Sequence, residues 1–162
     1  MSNAVSLKRI NDGISKRLAG IETRGKKLQS FLNREVVEIY RNLQRRRWAT
    51  ENTSEGIQWT ELNPIYKSYK LKKFAAYDGS GRKMLIATGR LYKSVIGPGK
   101  GFRKVATPKK LVITTSVPYA KWVNEARDFT EYSPKSWNTI NKAISKFLFN
   151  GTIPDVSKLG AK

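Results

Sequence analysis

Apolar residues recur at helical spacing through the first third of the chain. Leu7, Ile10, Ile14, Leu18 and Ile21 step by 3, 4, 4 and 3, which draws one stripe along a helix. Lys8, Arg9, Lys16 and Arg17 fall off that stripe, on the face left to solvent. Gly13, Gly20 and Gly25 weaken such a helix, and a break is expected near Thr23-Arg24-Gly25. The stripe resumes through Leu28, Phe31 or Leu32, Val36, Ile39 or Tyr40, and Leu43. Arg45-Arg46-Arg47 closes it, where cations suit the negative end of a helix dipole. A basic triplet can also meet nucleic acid, and the pattern alone leaves both roles open.

Beyond the polar stretch 49–56 the pattern shortens. Trp59 and Leu62 read as buried anchors, because tryptophan is seldom left exposed. Asn63-Pro64 predicts a helix start, with Asn63 as cap and Pro64 in the first turn. That helix runs through Tyr66, Tyr69 and Leu71, interleaved with Lys67, Lys70, Lys72 and Lys73. Tyrosines at this spacing favour a core face, while aromatics among lysines also suit a single-strand platform. Residues 77–83 read as a loop, and Met84 opens an apolar run broken at Thr88-Gly89. Leu91 and Val95 then share one face of a short helix, with Thr88 available as its N-cap. Gly97 to Gly101 reads as a flexible basic loop without the pattern of a phosphate loop.

The clearest strand is Leu111 to Ser116, ended by Val117-Pro118. Tyr119 to Glu125 predicts a helical turn with Tyr119, Trp122 and Val123 on one side, and Phe129 reads as a buried ring. The last helix runs from Ser136 or Trp137 to Phe149, with Trp137, Ile140, Ile144, Phe147 and Leu148 as its core stripe. Together these elements predict an α+β fold: N-terminal helices, a small mostly antiparallel sheet and a C-terminal helix. The expected organisation is a helical region over 1–48, an α+β domain over 55–149 and a mobile or partner-ordered tail over 150–162.

Charge changes this picture most. Thirty-two basic residues stand against twelve acidic ones, for a net charge of +20 over 162 residues. Residues 1–50 carry +8, residues 51–64 carry −3, residues 65–110 carry +12 and residues 111–162 carry +3. So much self-repulsion adds nothing to fold stability and points to a polyanionic neighbour, nucleic acid or an acidic protein. The chain has neither Cys nor His, which removes disulfides, the usual metal ligands and Cys or His catalytic pairs. Its acids form no paired or metal-binding motif, so no enzyme and no cofactor is expected. No apolar run is long enough to span a membrane, and no secretory signal pattern opens the chain; the reading is a soluble protein used without export.

Three short motifs stand in a telling order. They are Trp59-x-x-Leu62, then Leu85-Ile-Ala-Thr-Gly-Arg-Leu-Tyr-Lys-Ser94, then Val112-Ile-Thr-Thr-Ser-Val-Pro-Tyr-Ala-Lys-Trp122. This order resembles the tailed-phage virion morphogenesis proteins, the tail completion or neck proteins of the head–tail junction. Their pattern runs W-x-x-L, L-x-x-T-G-x-L-x-x-S, and a strand ending in P-Y-A. An H-x-G and an R-x-F usually follow; Arg127-Asp-Phe129 matches the second, and the first is missing. The match covers residues 55–129. The resemblance implies a structural protein that forms a ring of copies, six-fold in expectation, and binds other neck and tail proteins around the DNA passage. It also implies a place in the virion, assembled in the host cytoplasm, and no catalytic residues. Candidates for a surface facing DNA or an acidic partner are Arg82, Lys83, Arg90, Lys93, Lys100, Arg103 and Lys104. The alternative is a non-specific nucleic-acid-binding protein that works through its basic helices.

Overall fold

The computed structural model describes residues 3–74, 83–97 and 99–155, with side chains from residue 14 onward. Arg82 and nearly all of the expected 77–83 loop lie outside the described residues, as does 156–162 of the expected tail. The chain opens on α1 (Asn3–Lys26), which stops at a turn on Lys27. After that turn come α2 (Leu28–Phe31), a π-helical turn (Leu32–Val36) and α3 (Val37–Ala49), without leaving helical geometry. The expected break is therefore real, and sits a few residues after Thr23. Helix α4 (Pro64–Lys73) starts as predicted, with Asn63 Oδ1 accepting the Ile65 N–H at 2.9 Å. Helix α5 (Arg90–Ile96) precedes a hairpin of β1 (Phe102–Ala106) and β2 (Leu111–Thr115). Then come α6 (Ala120–Ala126), α7 (Pro134–Ser145) and a closing π-helical turn (Lys146–Asn150). The fold is α+β, with a two-stranded antiparallel sheet in the register Phe102↔Thr115 to Ala106↔Leu111. Among the described residues no helix is long and apolar enough to cross a membrane.

Two hydrophobic clusters form the core, and α3 feeds both. The first gathers Phe31, Leu32, Val36, Ile39 and Leu43 against Tyr132, Ile140, Ala143 and Phe147. Its centre is the Phe31–Phe147 pair, stacked with ring centroids 4.1 Å apart. In the second, Trp48 packs on Trp59 and Phe129, with Leu91, Val95, Ile96, Val117 and Ala120 around them. Tyr40 touches both clusters. Segment 28–48 and segment 55–149 therefore share one packed interior. Arg24 ties α1 to the Lys146–Asn150 turn, donating to the carbonyls of Leu148 at 2.5 Å and Phe149 at 3.1 Å. Carbonyls that a helix end would leave unpaired are satisfied in this way.

Several expectations are corrected. Where its side chains are described, the α1 stripe does not join the core: Ile14 is 51% exposed and Leu18 61%, and Leu7 and Ile10 lie outside the described side chains. Tyr66, Tyr69 and Leu71 face outward from α4, and Trp122 and Trp137 are also exposed. On these positions the apolar spacing exceeds what the two clusters cover. The stretch 97–101 is no loose loop. Gly99 lies so close over α5 that a Cβ there would sit 2.5 Å from Cβ of Lys93, and its N–H donates to the Lys93 carbonyl at 3.1 Å.

The largest correction concerns Arg47, which is fully buried rather than solvated at a helix end. Its guanidinium lies 3.7 Å from the Glu55 carboxylate, donates to the Glu131 carbonyl and covers the Tyr132 ring, Cζ 4.7 Å from the centroid. The 49–56 stretch is thus a tight corner that brings Glu55 back to α3. Glu55 also accepts from the Ser133 N–H, the Ser133 hydroxyl and the Ser136 hydroxyl, at 2.8–2.9 Å. Burial raises the Glu55 pKa, but these hydrogen bonds and the Arg47 charge outweigh it and hold the carboxyl below its ordinary range.

Removing one partner leaves the other charge buried and alone. Arg47→Met is expected to lower unfolding free energy by about 3–5 kcal/mol in urea titrations. Arg45→Met, at the exposed pair with Glu38 (3.1 Å), is expected to cost about 1 kcal/mol or less. Glu55 binds fewer protons folded than unfolded near its pKa, so its contribution is present above the ordinary carboxylate range. That contribution is lost as pH falls through the lowered value, and Glu55→Gln is expected to flatten this acid limb.

Candidate functional site

The stretch from Lys83 to Ile96 is held from three sides. The Lys70 amine, on α4, donates to the carbonyls of Lys83 and Met84. The Glu51 carboxylate accepts the Met84 N–H at 3.1 Å, and the Lys83 amine donates to the Ala49 carbonyl at 2.9 Å. Gly89, at φ +73°, makes the turn into α5, a left-handed conformation that glycine adopts without strain. Gly89 therefore takes the cap position expected of Thr88, whose hydroxyl lies 3.4 Å from the Arg90 N–H. Leu91 and Val95 enter the second cluster as their spacing predicts, and Arg90 and Lys93 point to solvent.

A groove of about 580 Å³ opens between α4, this stretch and α6. Leu85 and Leu91 lie along it, Tyr66, Tyr119 and Trp122 stand at its sides, and Arg90 and Arg127 add charge. Trp122 is 67% exposed, the most open of these rings. Arg127 is already engaged, donating to the carbonyls of Thr60 at 2.8 Å and Glu61 at 3.1 Å. Lys70 is buried beneath the groove. Burial away from water pulls its pKa down to about 8; Glu51 opposes that shift and Arg127 adds to it. Chemically, the groove offers apolar surface, ring faces and cations, the elements of a binding surface. Among the described residues no three His, Cys, Asp or Glu side chains group as a metal site. Ser94 is no exposed nucleophile: it is buried, its hydroxyl donates to the Leu91 carbonyl at 2.8 Å and it lies 2.7 Å from the Thr115 hydroxyl.

The basic candidates do not form one patch. Gly99, just before Lys100, folds onto Lys93, and Arg90 sits on the same short helix as Lys93. Lys83 lies instead at the end of α3. Arg103 and Lys104 are consecutive on β1 and so leave opposite faces of the hairpin. The Lys104 amine is spent on the Asn33 carbonyl at 2.9 Å. Spacing along the sequence missed the groove aromatics and Lys70. Tyr66 followed a core pattern without a core to meet, and a lysine run gives no sign of which member will be buried.

The motif residues do converge. The Trp59 indole N–H donates to the Asp128 carbonyl at 2.8 Å, and Trp59, Leu91, Ala120 and Phe129 share the second cluster. Ser94 links the middle motif to the strand through Thr115. No family model, curated protein or solved structure matches the chain.

Lys70 sets a pH dependence. Between its folded value of about 8 and its ordinary 10.5 the unfolded chain binds more protons, so stability rises with pH in that window. Tyr40, raised to about 12 by burial, and Tyr132, also raised, work the other way above about pH 10. The melting temperature is expected to climb from about pH 8 to about pH 9.5 in a scanning-fluorimetry series, and Lys70→Met is expected to remove the climb.

Proposed function

We propose that this chain is a structural protein of a tailed-phage virion, a tail completion or neck protein at the head–tail junction. In this reading it forms a ring, six-fold in expectation, that joins tail to head, binds other neck and tail proteins and surrounds the DNA passage. It performs no catalysis. The observation that carries the reading is the convergence of the motif residues. Trp59, Leu91, Ser94, Ala120 and Phe129 are separated by up to seventy positions in sequence yet pack in and around one cluster. A pattern that records a shared fold is expected to behave this way. The net charge of +20 suits a wall around DNA that contacts phosphates without reading bases.

A second reading, non-specific nucleic-acid binding, is favoured by α4. That helix exposes Tyr66 and Tyr69 beside Lys67, Lys72 and Lys73, which is the stacking-plus-phosphate composition of a strand platform.

Mass photometry of the purified chain at low and high salt, with and without random-sequence DNA, separates the two. The neck reading expects discrete rings, or a monomer indifferent to DNA that assembles only on particles. Stoichiometric coating of DNA that collapses with salt would sink it and install the second reading. In that case Tyr66→Ala with Tyr69→Ala is expected to weaken single-strand binding by roughly tenfold or more.

A further inference from the structure

The hairpin leaves one of its two edges open. Ser116 N–H to Gly101 carbonyl (2.9 Å) and Thr107 N–H to Lys110 carbonyl (2.8 Å) mark the hydrogen-bonded positions of the ladder. By alternation the amides of Leu111, Ile113 and Thr115 then point away from β1. On β1 the corresponding edge is engaged at both ends and packs beside the Leu32–Val36 turn. Phe102 N–H donates to the Gly99 carbonyl, the Gln29 amide donates to the Ala106 carbonyl, and the Lys104 amine crosses to Asn33. Among the described residues no such partner meets the β2 amides, and no third strand joins the sheet. Natural sheets blunt free edges with lysine, proline or a bulge. Leu111-Val-Ile-Thr-Thr115 has none of these.

Alongside this edge lies a second groove, of about 420 Å³, with Leu32, Val36 and Tyr40 on its floor and Trp137 on its far side. Leu111 and Ile113 send their side chains to the same space. Lys109 and Lys110, both exposed, stand at its end, and among the described residues no acidic one lines it. An open row of amides beside an unfilled apolar trough is the geometry that accepts an extended strand. Charge then selects the occupant. A second copy brings another net +20, whereas the lysine mouth attracts an acidic segment.

We propose that β2 and this groove form a strand-addition site for a partner protein's extended segment, one that alternates apolar side chains with acidic ones. The apolar set fills the groove, the backbone pairs with Leu111, Ile113 and Thr115, and the acids meet Lys109 and Lys110. This inference is independent of the virion reading and needs no ring or particle.

The probe is a short fluorescein-labelled synthetic peptide that alternates valine with aspartate or glutamate, titrated into the full chain by anisotropy. Saturable binding is expected, with exchange protection of the Leu111, Ile113 and Thr115 amides in hydrogen–deuterium exchange. Methylating one alternate set of peptide nitrogens is expected to weaken binding about tenfold or more, and methylating the other set to spare it, because only one set faces β2. Lys109→Glu with Lys110→Glu, at an exposed turn, is expected to weaken it to a similar degree. Equal effects of the two methylated sets would overturn strand addition, and equal binding of a valine–lysine peptide would overturn the charge assignment. Protection of the three β2 amides in the free protein, together with a dimer in sedimentation, would give the site to a second copy and overturn the proposed partner.

Discussion

A chain with 32 basic residues must decide where each cation goes, and the fold depends most on Arg47, one of those placed inside. Arg47 sits at the end of α3, where that helix passes from the first cluster to the second. Its charge is tolerable there because Glu55 lies 3.7 Å away and the Glu131 carbonyl accepts from it. Glu55 in turn receives Ser133 and Ser136 at the start of α7. One buried pair thereby fixes three directions: the end of α3, the return of the 50–56 corner and the departure of α7. An apolar pair of similar volume could fill the space with equal stability, but it would not specify which segments meet.

From this hub the two clusters extend to opposite sides of α3, and each leaves a groove where its cover ends. Beside the second cluster, α4 and α6 frame the aromatic groove without closing it. Beside the first, the hairpin is too small to reach across to Trp137, and the trough along β2 results. A two-stranded sheet is marginal by itself and here depends on the helices beneath it. The exposed rings and the open strand edge share one cause: among the described residues, the elements arranged around α3 leave more apolar surface than they cover.

The cations divide by the same logic. Buried or engaged ones do structural work: Arg24 at the Lys146–Asn150 turn, Arg41 donating to the Ile96 carbonyl at 3.0 Å, Lys70 under the central stretch, Arg127 on Thr60 and Glu61. Each satisfies backbone carbonyls where a helix or turn leaves them unpaired. The exposed remainder, including Arg90, Lys93, Lys100 and Arg103, is spread over more than one face. That distribution suits diffuse attraction to an extended polyanion better than a focused site.

Local chemistry was enough to read much of the fold from the chain alone. The helix start at Asn63-Pro64, the burial of Leu91 and Val95, the strand at 111–115 and the buried Phe129 all follow from spacing and capping between near neighbours. The net charge of +20 and its concentration in residues 65–110 are likewise legible from composition. Three things were decided only by tertiary structure: which arginine of Arg45-Arg46-Arg47 turns inward, which lysine of α4 is buried, and which apolar stripes find no core. The physical reason is common to all three. Periodicity reports which residues share a face, but whether that face is covered, and whether a charge on it has a partner such as Glu55, depends on segments distant in sequence.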